Sequence, residues 1–255
     1  MNLGLTGKRA IVTGGSRGIG KAIVDNFIEQ DMRIATCARG KASFDKNQEH
    51  WQHSKHQVLT DTVDVNNAEQ YTRWLSATIE QLEGLDVLVS NVTTRVDASD
   101  LEKWQQTFEV DLLQHIRTTD AALEALKQGD KPAIVYVASI ASVLSANMPS
   151  ELEYGTMKAA LTSYAAQMAN QLGKYNIRVN VVSPGPIHHD EGFWEVVRQR
   201  DKKLYERVCS LSVFNRLGTV TEVANAVTFL ASEAASNITA ANLRVDGGAI
   251  KTVNF

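Results

Sequence analysis

Short runs of apolar, mostly β-branched residues alternate along the chain with longer segments in which apolar residues recur every three or four positions. The first run lies at residues 10–13, and residues 19–28 after it place apolar side chains on one helical stripe. We predict strands at 10–13, 34–37, 58–65, 86–89, 133–137, 178–182 and 243–245. The same periodicity predicts helices at 19–28, 68–82, 104–126, 155–172 and 223–231.

Nearly continuous apolar strands separated by helices are typical of a parallel sheet that is buried on both faces. Right-handed crossovers then give an α/β, doubly wound (Rossmann) sheet of about seven strands with helices on both faces. The 255 residues contain no linker, repeat or low-complexity tract, so we expect one domain over 1–255. Residues 191–216 interrupt the alternation, and we interpret them as a helical insertion that forms a lid over the substrate at the carboxyl edge of the sheet.

Composition and charge give no support for nucleic-acid binding, membrane association or secretion. With a net charge of −3 and 44% hydrophobic residues, nothing in the chain as a whole points to nucleic acid or to an anionic membrane. No apolar run approaches the ~20 residues that span a bilayer, and the first residues lack the apolar core of a secretory signal. The two cysteines, Cys37 and Cys209, are too few for a disulfide framework, which favours a reducing, cytoplasmic location.

The histidines are the candidates for metal ligands. His50, His53 and His56 have a three-residue spacing, and His188 and His189 are adjacent. No cysteine or acidic cluster completes either group, so we expect no metal site.

A glycine-rich segment, TGGSRGIG at residues 13–20, lies between the first predicted strand and the first predicted helix. Glycines at this point allow a tight turn and a close approach of the backbone to a pyrophosphate group. The unpaired N–H groups at the helix N-terminus favour phosphate. The position between strand and helix disfavours the alternative, a glycine-rich turn without a ligand. The candidate ligands in this segment are Gly14, Ser16, Arg17, Gly18, Ile19 and Gly20.

Further motifs accompany this TGxxxGxG spacing in a fixed order. Ser139 follows the predicted strand at 133–137, Tyr154 and Lys158 form a YxxxK sequence, and residues 180–185 read NVVSPG. As a set, the motifs resemble those of the short-chain dehydrogenase/reductase family over nearly the whole chain. The resemblance implies a nicotinamide cofactor and a catalytic set that contains Ser139, Tyr154 and Lys158.

The same resemblance implies further contacts with the cofactor. Asp64 and Val65, after the third predicted strand, match the family's adenine-side pair, and Asn91 matches a residue of its NNAG segment. The remaining contacts that it implies are Tyr154, Lys158, Pro184, Gly185 and Ile187, with Lys158 on the nicotinamide ribose.

The end of the second predicted strand indicates which dinucleotide binds. Enzymes that use NAD place an acidic residue about 20 residues beyond the glycines, where it holds the ribose 2′-hydroxyl. Residues 36–40 read TCARG and contain no acid, and Arg39 and Arg17 can form charge-assisted bonds to a 2′-phosphate. We therefore predict NADP(H), with NAD(H) the less favoured cofactor. The alternative is that both arginines are solvated surface charges.

Tyr154 and Lys158 are four residues apart on a predicted helix and so share one face. A free tyrosine is a poor base at neutral pH, and a nearby ammonium favours its phenolate form. Tyr154 then donates a proton to a carbonyl oxygen or takes one from an alcohol, while Ser139 hydrogen-bonds the same oxygen. We predict an oxidoreductase that transfers a hydride between nicotinamide and a small or medium organic ketone or alcohol. A 3-oxoacyl thioester or a biosynthetic intermediate is among the candidate substrates.

Three sites depart from the family pattern. Val92 and Thr93 replace the alanine and glycine that follow Asn91 in the NNAG segment. By resemblance, Asp111 replaces an asparagine that helps carry a water-mediated proton path from the lysine, and His189 replaces a threonine that contacts the cofactor. We include Asp111 in the catalytic set and expect its charge to oppose formation of the phenolate. Asp111→Asn should then keep or raise activity.

Two other functions stay open. The same site can serve dehydration or epimerisation, and a catalytically weak dinucleotide-binding protein can act as a sensor or scaffold. Thr93 and Asp111 favour the weak protein, whereas the intact Ser139, Tyr154 and Lys158 disfavour it.

The resemblance also implies a homotetramer or homodimer, formed through the helices at 104–126 and 154–172. The predicted insertion carries basic residues that could receive an acidic acyl carrier protein: Arg198, Arg200, Lys202, Lys203 and Arg207. Acidic residues lie among them, so a solvated face is the interpretation that we favour.

Overall fold

The computed structural model describes residues 2–52, 54–94, 100–145 and 152–252. The strands in these ranges are β1 (Arg9–Thr13), β2 (Arg33–Ala38), β3 (Leu59–Thr62), β4 (Val87–Ser90), β5 (Ala133–Val137), β6 (Arg178–Pro184), β7 (Ile187–His188), β8 (Gly218–Thr219) and β9 (Asn242–Val245). The α-helices there are α1 (Gly18–Glu29), α2 (Ala42–Gln52), α3 (Ala68–Leu82), α4 (Asp100–Phe108), α5 (Gln114–Lys127), α6 (Leu152–Leu172), α7 (Phe193–Arg200), α8 (Lys202–Cys209) and α9 (Val220–Ala231).

Among the described residues, seven strands form one parallel sheet in the order β3-β2-β1-β4-β5-β6-β9. The central strands consist mainly of apolar, β-branched residues, and every residue of β4 and β5 is buried. Helices α1 and α9 pack on one face, and α3, α5 and α6 pack on the other. The predicted doubly wound sheet is therefore confirmed.

The sheet extends in one direction from β1 to β2 and β3, and in the other from β4 to β5, β6 and β9. At the point where the order reverses, successive connections leave on opposite faces and open a crevice at the carboxyl ends of the strands. β1 leads directly into the glycine-rich loop, and β4 leads into residues 91–94. The fold thus brings these two segments to the place where open α/β sheets bind ligands.

The predicted helix at 104–126 extends further at both ends and is interrupted by a wide turn. Between α4 and α5, residues Glu109–Leu113 form a π-helical turn, in which the N–H of Gln114 donates to the carbonyl of Glu109. Such a turn accommodates one extra residue and often lies at a functional site. It carries Asp111, whose side chain is completely buried.

Two helices lie in the segment at 191–216. Helices α7 and α8 meet at Asp201, whose side chain accepts a hydrogen bond from the N–H of Leu204 at 2.9 Å and so caps α8. α7 contacts β7, which pairs with β8 outside the main sheet. No helix in the described part of the chain has the length and apolarity that a bilayer span requires.

A buried ion pair joins the starts of three central strands. Asp86, which precedes β4 and is 3% exposed, accepts hydrogen bonds from Arg9 Nε at 2.8 Å and from Arg9 Nη2 at 2.6 Å. The backbone N–H groups of Arg9 and Asp130 donate to the same carboxylate at 2.9 and 2.8 Å. Burial acts to raise the pKa of Asp86, but these donors outweigh it and hold the pKa below its ordinary value.

Asp86→Ala should lower the free energy of unfolding by about 3–5 kcal/mol, because it leaves the Arg9 guanidinium and two backbone N–H groups without their acceptor. Glu124→Ala, which removes a surface ion pair with Lys127, should leave the free energy of unfolding nearly unchanged. Urea unfolding followed by circular dichroism measures both values.

The pH dependence provides a second measurement on the same variants. Because the pKa of Asp86 is lowered on folding, its contribution is present above about pH 4 and is lost as the pH falls through the lowered pKa. The stability difference between wild type and Asp86→Ala should therefore shrink in acid. A difference that stays constant down to about pH 2 would contradict this account of the ion pair.

Candidate active site

The glycine-rich loop between β1 and α1 is shaped by close contacts of its backbone. Gly18 has a φ of +55°, in the left-handed region that favours glycine. A Cβ on Gly20 would lie 2.2 Å from the carbonyl oxygen of Gly14, so a larger residue does not fit there. The N–H of Gly15 donates to Thr36 Oγ1 at 2.9 Å and ties the loop to β2. The loop therefore keeps its backbone close to the start of α1.

The N-terminus of α1 has no side-chain cap. Arg17 occupies the N-cap position and makes no capping hydrogen bond, whereas Thr219 and Glu222 form a complete capping box on α9. Ser16 precedes this N-terminus, and Ile19 lies in its first turn. The first N–H groups of α1 are left to a ligand, and a helix N-terminus favours an anion. The loop thus fits the pyrophosphate of a dinucleotide.

The predicted adenine-side residues lie at the adjoining edge of the sheet. Arg39 follows β2 and is exposed, as is Arg17. β2 pairs with β3, after which Asp64 is exposed and Val65 is buried. Asp64 Oδ1 accepts a hydrogen bond from the N–H of Asn66 at 3.0 Å. The two arginines and Asp64 therefore surround the carboxyl ends of β1, β2 and β3.

Two asparagines fix the glycine-rich loop from outside. Asn91 Nδ2 donates to the carbonyls of Thr13 and Gly14 at 3.1 and 3.3 Å, which joins the end of β4 to the loop. Asn47 of α2, which is buried, donates to the carbonyl of Ser16 at 2.8 Å. Asn91 is among the predicted cofactor residues. No sequence motif marks Asn47, because its role depends on how α2 packs against the loop.

The three predicted catalytic side chains come from neighbouring elements. Ser139 follows β5, and its Oγ accepts a hydrogen bond from the N–H of Ala141 at 3.1 Å in the 3₁₀ turn Ile140–Val143. Tyr154 and Lys158 lie on α6, which packs against that turn. Lys158 Nζ is 5.6 Å from the centroid of the Tyr154 ring. The ammonium and the phenol are thus adjacent on one face of the helix.

Lys158 is paired with a carboxylate that is as deeply buried as itself. Lys158 Nζ lies 2.9 Å from Asp111 Oδ1, and both side chains are 0% exposed. Thr93 Oγ1 donates to the same carboxylate oxygen at 2.5 Å, and the N–H of Thr94 donates to Oδ2 at 3.2 Å. Lys158 Nζ also donates to the carbonyl of Val137 at 3.4 Å. Thr93 and Asp111, two residues that depart from the family pattern, are therefore in direct contact.

This pairing determines the charge state of the groups around Lys158. Burial acts to lower the pKa of Lys158, but the charge of Asp111, the interaction with Tyr154 and the hydrogen bond to Asp111 together outweigh burial and raise the pKa above its ordinary value. Burial and the charge of Lys158 hold the pKa of the buried His115 far below its ordinary value, so this imidazole is neutral. His115 Nδ1 lies 2.6 Å from Ser90 Oγ. The sequence motifs do not identify the Ser90–His115 pair, because the contact joins two residues that are 25 positions apart in the chain.

Pro184 ends β6, Gly185 follows it, and Ile187 begins β7. The N–H of Gly185 donates to the carbonyl of Val245 in β9 at 2.9 Å. Ile187 is buried and pairs with Gly218 across β7 and β8. This turn is therefore held at the same carboxyl edge of the parallel sheet at which β1 and β4 end.

Among the described residues, no group of three or more histidine, cysteine or acidic side chains is arranged to hold a metal ion. His53 and the side chain of His50 lie outside the described residues. Cys37 and Cys209 are free thiols, and burial raises the pKa of Cys37 to about 12.

Comparison with known proteins finds relatives over almost the whole chain. A family model for enoyl-(acyl carrier protein) reductase matches residues 14–249. The isoepoxydon dehydrogenase patN of Penicillium expansum is 28% identical over 251 residues, which cover 97% of this chain and 96% of the relative. The tropinone reductase homolog At2g29370 of Arabidopsis thaliana is 31% identical over 255 residues, which cover 96% of this chain and 91% of the relative.

A solved structure agrees with these relatives. L-sorbose reductase from Gluconobacter frateurii, complexed with NADPH and L-sorbose, has a TM-score of 0.87 and is 28% identical to this chain. The match covers 99% of this chain and 100% of that one. Because sequence and fold agree over this length, the chain belongs to the short-chain dehydrogenase/reductase family.

Proposed function

We propose that this protein is an NADP(H)-dependent oxidoreductase that interconverts a small or medium organic ketone and the corresponding alcohol. The observation that carries the proposal is the position of the Lys158 ammonium, 5.6 Å from the centroid of the Tyr154 ring, on a helix that packs against the turn after Ser139. The relatives named above include a dehydrogenase and a sugar reductase, which supports an oxidoreductase.

The choice of NADP(H) over NAD(H) rests on the charges at the ends of β1 and β2. The end of β2 carries no acid, so nothing there repels a 2′-phosphate. Arg17 and Arg39 are exposed at this edge and can each form a charge-assisted hydrogen bond to that phosphate. The NADPH bound to L-sorbose reductase supports the same choice.

The side chains of the site have different roles toward the substrate oxygen. The bound nicotinamide supplies or accepts the hydride. The Tyr154 hydroxyl donates a proton to the carbonyl oxygen in reduction and accepts one from the alcohol in oxidation. The Ser139 hydroxyl donates a hydrogen bond to the same oxygen and holds it in place. Lys158 stabilises the phenolate through its positive charge, and Asp111 holds the ammonium.

We assign α7 and α8 to a lid over the substrate. The segment follows β7 at the carboxyl edge of the sheet and exposes large apolar side chains: Phe193, Val196, Leu211, Val213 and Phe214. An apolar lid fits an organic substrate without a large charge. Arg198 is paired with Glu195 at 2.6 Å and Lys202 lies 3.7 Å from Glu206, which favours a solvated face over a surface for an acyl carrier protein.

For the assembly, we propose a cytoplasmic homotetramer or homodimer. Helices α5 and α6 flank a surface groove that carries apolar side chains, among them Ile116, Leu123, Tyr164 and Met168. A second copy that covers this groove would bury them. Sedimentation analysis distinguishes these assemblies from a monomer.

A second candidate function is binding of the dinucleotide with little turnover. What favours it is the carboxylate of Asp111, whose negative charge near Lys158 opposes formation of the phenolate at Tyr154. A panel of ketones assayed by NADPH absorbance separates the two candidates. Binding of NADPH without turnover of any ketone or alcohol would favour the second.

Tyr154→Phe should reduce kcat by about 10²- to 10⁴-fold, because it removes the proton donor and leaves the ring. The Kd for NADPH, measured by fluorescence titration, should stay near the wild-type value. Tyr175→Phe, at an exposed tyrosine after α6, is the matched control and should keep wild-type kcat. Wild-type turnover in Tyr154→Phe would overturn the assignment of the proton donor.

Wild-type kcat/KM should be higher with NADPH than with NADH. Arg17→Ala and Arg39→Ala should each lower kcat/KM for NADPH by about ten- to hundredfold, because a hydrogen bond to a charged group contributes about 1.5–3 kcal/mol. Both variants should leave kcat/KM for NADH nearly unchanged, and Arg73→Ala on the exposed face of α3 should change neither value. A wild-type preference for NADH would overturn the choice of NADP(H).

Asp111→Asn should keep or raise kcat, because the amide oxygen still accepts from Lys158 and the opposing negative charge is gone. The free energy of unfolding should fall by about 1–3 kcal/mol, since the N–H of Thr94 then faces an amide NH₂ group. Asp111→Leu leaves the buried ammonium unpaired and should cost about 3–5 kcal/mol. A large loss of kcat in Asp111→Asn, with stability intact, would show that the carboxylate itself takes part in the reaction.

A further inference from the structure

The imidazole of His189 lies against the glycine-rich loop. A Cβ on Gly18 would be 3.3 Å from His189 Nε2, and a Cβ on Gly192 would be 2.7 Å from the same nitrogen. The ring is therefore half-buried between two glycines. His189 lies next to the uncapped start of α1, where the loop fits the phosphates of the proposed cofactor.

Two contacts hold the turn that carries His189. The N–H of Gly192 donates to the carbonyl of His189 at 2.9 Å and closes the turn. Glu191 Oε1 lies 2.5 Å from the Nζ of Lys46 on α2, and the next residue of α2 holds the glycine-rich loop. Helix α2 thus contacts both the loop and the turn, which keeps the imidazole beside the N-terminus of α1.

The charges around the ring favour its neutral form in the free protein. Burial and the nearby guanidinium of Arg17 lower the pKa of His189 below its ordinary value. The other charged or titratable groups that face it are Glu191, His188 and Asp190 of its own turn and, through Glu191, Lys46 of α2. The acidic groups oppose the shift only in part, so the imidazole is neutral at neutral pH.

We propose that His189 binds a phosphate group of the dinucleotide and takes up a proton as the cofactor binds. This inference rests on the proposed function, because it concerns the same cofactor site. A protonated imidazole donates a charge-assisted hydrogen bond to a phosphate oxygen, and the nearby anion in turn favours the charged ring. The histidine is neutral in the free protein and charged in the complex, so it couples cofactor binding to pH.

Proton uptake makes the affinity for the cofactor depend on pH in one direction. Between the pKa of His189 in the free protein and its higher pKa in the complex, a falling pH tightens binding, by about tenfold for each unit between the two values. Ionisation of the 2′-phosphate of the cofactor has the opposite effect. Its second negative charge, gained near pH ~6, strengthens contacts with Arg17 and Arg39 as the pH rises. The two effects therefore differ in sign.

Isothermal titration calorimetry with NADP⁺, in two buffers of different ionisation enthalpy, measures the Kd and the number of protons taken up. In the wild type we expect a net uptake of about half a proton per cofactor near neutral pH, and a Kd that rises about tenfold from pH ~6 to pH ~8. His189→Gln keeps a hydrogen-bond donor but cannot titrate, so it should lose the uptake and most of the rise in Kd. His56→Gln, at a histidine after α2, is the matched control and should behave like the wild type.

Equal proton uptake in the wild type and in His189→Gln would overturn the inference while cofactor binding stands. If the wild type fails to bind NADP⁺ at every pH, the proposed function itself is wrong. NMR titration of the His189 imidazole uses only the wild-type protein, so its result does not depend on whether a variant folds. It should give a higher pKa with NADP⁺ bound than without it, and an unchanged or lower value would overturn the inference.

Discussion

An ammonium group that is completely removed from water is the constraint on which the rest of this site depends. Taking a lysine charge out of water costs several kcal/mol, and that cost is offset only when an anion and further hydrogen bonds accompany it. Asp111 supplies the anion, while Thr93 and Thr94 donate to the same carboxylate, so both of its oxygens have partners. This arrangement stabilises the positive charge beside the Tyr154 ring.

The order of the strands places this ion pair near the glycine-rich loop. β4 lies between β1 and β5, so the segment after it, residues 91–94, lies between the glycine-rich loop and the turn that carries Ser139. Asn91 donates to the carbonyl of Gly14 on one side, and Thr93 donates to the partner of the ammonium on the other. One short segment therefore contacts both the loop that we propose binds phosphate and the group that we propose supports proton transfer.

The parts of the molecule that depend on local spacing are those that the sequence predicts well. The apolar runs of the buried central strands and the four-residue spacing of Tyr154 and Lys158 are local features. β3 gives a weak signal, because Leu59–Thr62 lies at the edge of the sheet and is largely exposed. Contacts between distant residues leave no such signal. Thr93 and Asp111 appear as two separate departures in the sequence, and only the packing of the turn Glu109–Leu113 beside the segment after β4 makes them one unit.

At the wide turn Glu109–Leu113, the residues of the site can change without a change in the fold. In a regular α-helix, loss of one residue rotates everything beyond it by about 100° and shifts it by about 1.5 Å. The π-helical turn contains one residue more than a regular α-helical turn. Deletion of one residue here would therefore restore a regular α-helix, and α5 would keep its position on the sheet. Loss of Asp111 itself would let α5 keep its place on the sheet while leaving the Lys158 ammonium without its carboxylate. Evolution could thus change the reactivity of the site through chain length alone.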